Sequence, residues 1–221
     1  MARRSTFARR RPVEVPEDLP VWDGELEDDL RLDEVAVEGA WPEASLDGVE
    51  VVRGRLRGVQ LTGATLDQLV LRDVVVSDAE LSGATLGSAV LDRVRFERCR
   101  MAGLVASGLR ATDVEMVDCQ LTGAWFRGAT LERCELSGCD LREADLYAAR
   151  ITQSRFLHSQ LDRTEWSTAT IKGLALHGSS LDGLRGAAAL RDLVIGSDQL
   201  LVLAGPVLAA LGIVVDDDPD E

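Results

Sequence analysis

The sequence predicts an all-β solenoid, a chain wound into stacked coils, on the strength of two periodicities. Every fifth residue from Leu46 to Leu181 is apolar, 28 positions without an exception. In a chain that is 46% hydrophobic, chance gives such a run roughly once in 10⁹. A helix repeats every 3.6 residues and a strand every two, so neither alone carries a beat of five. The second period is twenty: Gly63, Gly83, Gly103 and Gly123 each lie two residues past an apolar centre. Glycine thus recurs at one five-residue unit in four, a period of the length that stacked repeats show. Gly at such a position suits the third residue of a type II turn, which needs φ > 0.

A second phase runs through the repeat. Two residues before the centre the chain prefers a small side chain, as at Ala44, Ala64, Ala84, Ala124 and Ala144. The unit is therefore small-x-Leu-x-x, plain in Ala64, Thr65, Leu66, Asp67 and Gln68. It resembles the pentapeptide-repeat family over residues 44 to 185. The resemblance implies a right-handed quadrilateral β-helix, four five-residue faces to a coil, with the centre and the small residue both turned inward. Twenty-eight faces make about seven coils, a rod of ~34 Å at ~4.8 Å per stacked strand. We label the faces by their centres: A from Leu46 to Trp166, B from Val51 to Ile171, C from Leu56 to Leu176, and D from Leu61 to Leu181. At Leu104 and Ala106, and again at Leu109 and Ala111, large and small residues exchange places. Such an exchange conserves core volume.

The ends depart from the beat. Residues 1–29 read as an irregular N-terminal arm, Arg-rich at first, then acidic and Pro-bearing. The twin arginines Arg3 and Arg4 are followed by no apolar segment, so no export signal is expected and the reading is cytoplasmic. Leu30 to Val37 already pair small and large positions in a shifted register, which predicts an array over residues 30–185, regular from 44, with a one-residue slip around Trp41 and Pro42. Val52, Val70, Val75 and Val90 point outward, and the arm is expected to cover them. Residues 186–215 read as a helical cap, a plug every solenoid needs. Ser197 is the expected N-cap of a helix over 198–204, Gly205 its break, Pro206 the start of a second helix and Gly212 its end. Ile213 to Val215 are expected to add a strand. Leu200, Leu201, Leu203, Val207, Leu208 and Leu211 form an apolar face and the candidate dimer interface, since the resemblance implies two-fold contacts through such caps in some relatives. Residues 216–221 are an acidic tail expected to be disordered.

All four cysteines take the inward small position. Cys99, Cys119 and Cys139 are twenty apart, and Cys134 lies on the neighbouring face. Three in-line sulfurs do not make a tetrahedron, so we read free, buried thiols, as in a reducing compartment. His158 and His177 are read as solvated. No nucleotide loop, nucleophile motif or metal signature is present, so no catalytic, cofactor or metal site is expected and the chain is read as a binding protein, not an enzyme. A single Lys beside abundant Arg, Ala, Val and Gly points to a GC-rich bacterial genome.

The net charge is −14. The resemblance implies imitation of B-form DNA and binding to a type II topoisomerase, DNA gyrase or topoisomerase IV, with modulation or protection from quinolones. The charge is unevenly placed, however. Residues 42–186 hold 20 acidic and 17 basic side chains, and most of the excess lies on the termini. Face A opposes Asp47, Asp67, Asp145 and Glu165 with Arg127 alone, face D is −2, face B +2 and face C neutral. A duplex of that length carries ~20 phosphates, far more than the rod. Trp125 and Tyr147 point outward on face A, as interface anchors do. Face A is thus the candidate partner surface, for a DNA-mimicking contact or for a scaffold contact with another protein. Direct nucleic-acid binding is disfavoured by the overall charge.

Overall fold

The structure, a computed structural model, describes residues 7–215. The expectations for Arg3, Arg4 and residues 216–221 lie outside that span. The chain forms a right-handed quadrilateral β-helix of about eight coils closed by one short helix. Every strand pairing is parallel. The register along the array is twenty, as in Leu71↔Leu91 and Val76↔Phe96 or Leu131↔Ile151. Faces B and C carry the continuous strands, and Val70–Ser77, Val90–Glu97 and Arg150–Leu157 run through the corner between them. Beyond the strand pair Ser45–Asp47 and Thr65–Asp67, faces A and D pair through single bridges such as Thr85↔Val105 and Gln120↔Asp140.

One coil precedes the seven that the five-residue beat marks, and its register is shorter by one. Leu32 faces Val51 and Val37 faces Leu56, nineteen residues on, whereas Ala40 bridges Gln60 at twenty. The slip therefore falls on Glu38 and Gly39, just before Trp41 and Pro42. Gly39 has φ +146, where a Cβ would sit 2.5 Å from the Trp41 ring. Only a glycine makes that extra step beneath the indole.

Left-handed backbone is not confined to one corner in four. All 28 positions two past a centre have φ between +50 and +80, whether occupied by Gly, Asp, Arg, Gln or Ala. The corner geometry is therefore a property of the coil. After faces A and D it is a hydrogen-bonded turn, as in Ala64 N–H to Leu61 C=O at 3.1 Å around Gly63. Glycine is the least costly residue there, and that preference produced the twenty-residue glycine signal.

The centres and their small companions fill the axis. Leu66 is 5% exposed, Ala106, Leu146 and Trp166 0%. Packing is loosest in the first coils, where an apolar cavity of about 70 Å³ follows the axis past Val37, Leu46, Val51, Val76 and Phe96. Valines at the centres Val51 and Val76, where most coils carry a larger residue, leave that space.

At the C-terminus the structure corrects the sequence reading. Leu193–Val194 continues the sheet by pairing with Leu174 and Ala175, and Ile213 to Val215 form no strand. A single helix, Leu200–Ala210, runs through Gly205 and Pro206 in place of two. A proline disfavours helix in the residue before it by striking that residue's Cβ; Gly205 has none. Ser197 opens a 3₁₀ turn, Ser197–Gln199, rather than capping the helix.

Candidate functional site

On face A the small and centre positions point inward, so the residues beside each centre alternate outward. Trp125 and Tyr147, on successive coils, are 48% and 45% exposed. Arg127 lies between them, its guanidinium carbon 5.4 Å from the indole centroid and 5.9 Å from the phenol centroid. Its Nε donates to Asp145 Oδ2 at 2.6 Å, and Asp145 Oδ1 accepts the Tyr147 backbone N–H at 2.9 Å. The four side chains form one pre-ordered raft, since each is held by another. A cation between two aromatic rings adds about 0.5–1 kcal/mol at an exposed site.

The acids predicted for face A separate into two kinds. Asp145 is neutralised by Arg127, and Glu165 by Arg185 at 3.3 Å. Asp47 and Asp67 are exposed neighbours on paired strands. Asp47 accepts from Gln68 Nε2 at 2.8 Å, and neither acid has an ionic partner among the described residues. Face D is paired in part, through Glu80 with Arg100, Asp140 with Arg142, and Glu143 with Arg163, while Asp162 accepts only from Ser180 Oγ and the Asp182 N–H and neither it nor Asp182 has an ionic partner among the described residues. Hydrogen bonds from Arg142 hold the Asp140 carboxyl below its usual range.

A site that the sequence reading missed runs along the corner between faces B and C. Its residues alternate in charge every twenty positions: Arg53, Asp73, Arg93, Asp113, Arg133, then Gln153. Arg93 grips Asp73 with two hydrogen bonds of 2.7 and 2.6 Å, and Arg133 grips Asp113 at 2.8 and 3.0 Å. The Asp113 side chain is fully buried. Burial alone would raise its pKa, but Arg133, together with the backbone N–H and side chain of Arg11, holds it far below the carboxylate range. Alternating charges at a period of twenty were the legible signal.

The N-terminal arm lies along this corner. Ala8 N–H donates to Gln153 Oε1, Arg11 N–H to Asp113 Oδ1 and Glu14 N–H to Asp73 Oδ1, at 3.0, 3.0 and 3.2 Å. Arg10 pairs with Glu115, and Arg11 with Asp92 and Asp113. Arg155 stacks 5.1 Å from the Phe7 centroid. The outward valines Val52, Val70, Val75 and Val90 are half-buried beside this corner.

The cap presents a different apolar surface from the one expected. Leu203 is buried against the core and belongs to the plug, not to a dimer face. Leu200, Leu201 and Leu211 are exposed, Leu201 by 90%, while Val207 and Leu208 are half-buried. Gln199, which the sequence reading passed over, closes the barrel end. Its Nε2 donates to the Leu176 and Ser179 carbonyls, both at 2.6 Å, and its Oε1 accepts the Gly196 N–H. These are carbonyls that a further coil would otherwise have paired.

The four cysteines are free and buried, and burial pushes the Cys134 thiol up to about 12. His158 and His177 are exposed. Among the described residues, no three His, Cys, Asp or Glu side chains are arranged to hold a metal ion.

The family model described as pentapeptide repeat region matches residues 109–185, and that described as pentapeptide repeats (8 copies) matches residues 55–93. The chain belongs to the pentapeptide-repeat family. Among solved structures it is similar to HetL, a pentapeptide repeat protein involved in heterocyst differentiation regulation from the cyanobacterium Nostoc sp. strain PCC 7120. That likeness has 19% identity and a TM-score of 0.37, covering 75% of this chain and 87% of the other. It is also similar to QnrB1, a plasmid-mediated fluoroquinolone resistance protein, at 20% identity and TM-score 0.37 over 80% and 100% of the two chains. A pentapeptide repeat protein of the Arabidopsis thaliana thylakoid lumen gives 22% identity and TM-score 0.41 over 50% and 74%. Likenesses this distant carry no argument about role. No curated protein matches the chain.

Proposed function

We propose that the rod is a non-enzymatic docking surface for another protein, engaged through face A. The observation that carries this reading is the raft of Trp125, Arg127, Asp145 and Tyr147. Two half-exposed aromatic residues held rigid by a shared cation lose little freedom on binding, which is what an anchor needs. The surface around them is flat and offers no converging reactive groups.

The specific partner we propose is a type II topoisomerase, DNA gyrase or topoisomerase IV, in the cytoplasm of a bacterium. The family resemblance and the net charge of −14 support it. The ion pairs on faces A and D restrict the form it takes. On face A the negative potential open to a partner is concentrated at Asp47 and Asp67, so the contact there combines an acidic end with an aromatic anchor rather than copying a row of phosphates. We also propose that the exposed Leu200, Leu201 and Leu211 join two copies into a longer rod. A monomeric mass by light scattering, unchanged in Leu201→Asp, would remove that dimer.

The test is a supercoiling assay with purified gyrase, with and without a quinolone. Inhibition or protection that falls in both Asp67→Lys and Trp125→Ala supports the combined contact. A loss in Asp67→Lys alone, largest at low salt and fading together with the wild-type potency as salt rises, supports charge mimicry without the anchor. Indifference of gyrase and topoisomerase IV to the wild-type protein overturns the topoisomerase reading. The docking reading then rests on whether Trp125→Ala weakens capture of a different partner.

A further inference from the structure

The arm and its corner match in spacing. From Ala8 to Arg11 and from Arg11 to Glu14 the arm advances three residues, while its acceptors move from Gln153 to Asp113 to Asp73, two coils each time. Two coils rise ~9.6 Å, and three residues of extended or polyproline chain rise ~9.3–10 Å. The two repeats are commensurate, so every third amide of an extended chain meets an acceptor.

The sequences of both partners fit that match. Pro12 and Pro16 have no N–H and fall off the donor beat of Ala8, Arg11 and Glu14. They also bias Arg11 and Val15 toward extended backbone. On the rod, left-handed corners favour glycine, yet this corner has none from Arg53 to Gln153. Side chains stand there despite the backbone cost, and they serve as acceptors and as the arginines that orient them. The arm is otherwise exposed over much of its length, and polar contacts anchor it.

We propose that the corner between faces B and C is a peptide-binding track that reads an extended, arginine-bearing segment by its backbone. Its resident ligand is residues 8–17 of the same chain, and the same segment of a second copy occupies it in trans when the resident one is released. Recognition needs a free amide at every third residue, an arginine at the position of Arg11 to reach the buried Asp113, and proline only between the donor positions. The tether at Pro20 and Trp22, which pair with Ala36, gives the resident arm an effective-concentration advantage.

The test uses the full chain carrying Arg11→Gln, a substitution at an exposed residue that weakens the resident arm. A fluorescent synthetic peptide of residues 7–19 is titrated against wild-type and variant proteins. The expected result is saturable binding to the variant about tenfold tighter than to wild type, about 1.4 kcal/mol, and no binding of the same peptide carrying Arg11→Gln. Adding Gln153→Ala to the variant protein, a change outside the Asp–Arg pairs, should weaken the wild-type peptide several-fold with circular dichroism unchanged. Equal affinity for both proteins, or binding indifferent to Gln153→Ala, overturns the proposal.

Discussion

At the corners of the coil each residue pays for a left-handed backbone, and the side chain decides what it gains in return. Ala148, at φ +56, has no polar group to repay it. Ala148→Gly should therefore stabilise the protein by about 0.5–1 kcal/mol, the left-handed penalty less the entropy of a new glycine, read as a higher urea midpoint. Asp113 is repaid by Arg133 and Arg11. Because its folded-state pKa is lowered, its contribution is complete above the unfolded carboxylate value of about 4 and is lost progressively as pH falls from there toward the folded-state value. Urea titrations from pH 7 to pH 3 should show stability falling below about pH 4 in the wild type. Asp113→Asn should be weaker by about 1.5–3 kcal/mol at pH 7, since Arg133 and Arg11 lose charge-assisted hydrogen bonds to it while Arg133 keeps Glu132, and flatter with pH. This pairing was open to view in the alternation of Arg53, Asp73, Arg93, Asp113 and Arg133. The depth of Asp113 was not, because burial comes from an arm a hundred residues away in sequence.

At the scale of elements, the five-residue beat specified the strands but fell silent after Leu184, and there the reading erred. Gly205 and Pro206 look like a break to any rule applied residue by residue. Together they permit one another, since a proline's clash needs a Cβ before it. Gly205→Ala would ordinarily gain about 1 kcal/mol in a helix. Here it should gain nothing and should lower the melting temperature, with faster hydrogen exchange across Leu200–Ala210. The inward turn of Leu203 likewise depended on where the helix meets the last coil, which no apolar stripe specifies when leucines surround the helix. Gln199 was illegible for the same reason: it is a polar residue whose partners, the Leu176 and Ser179 carbonyls, exist only because the coil stops there.

Across the whole molecule the axis is unevenly filled. Val76 borders the cavity of about 70 Å³ in the first coils, whereas Ala106 sits fully buried beside the buried Leu104, outside that cavity's lining. Val76→Ile should raise stability by about 0.8 kcal/mol for the added methylene, a rise of ~2–3 °C in melting temperature for a chain of this size. Ala106→Leu should cost about 1–3 kcal/mol by overpacking. The buried thiols lead to a further expectation: Cys99, Cys119, Cys134 and Cys139 should resist a thiol reagent in the folded rod and react together on unfolding. Charge behaves differently at this scale than residue by residue. Face A's sum of −3 was legible from sequence, but pairing of Asp145 and Glu165 with arginines redistributes what a partner meets.

Sequence determined the winding: a beat of five fits neither a helix nor a single strand, and the family resemblance carried by that beat implied the coil, its faces and the inward phase. Tertiary structure decided how the surface is used. Which acids keep their charge, where the arm lies and how the barrel is closed depend on groups brought together from distant coils, and such meetings leave no period for a sequence to display.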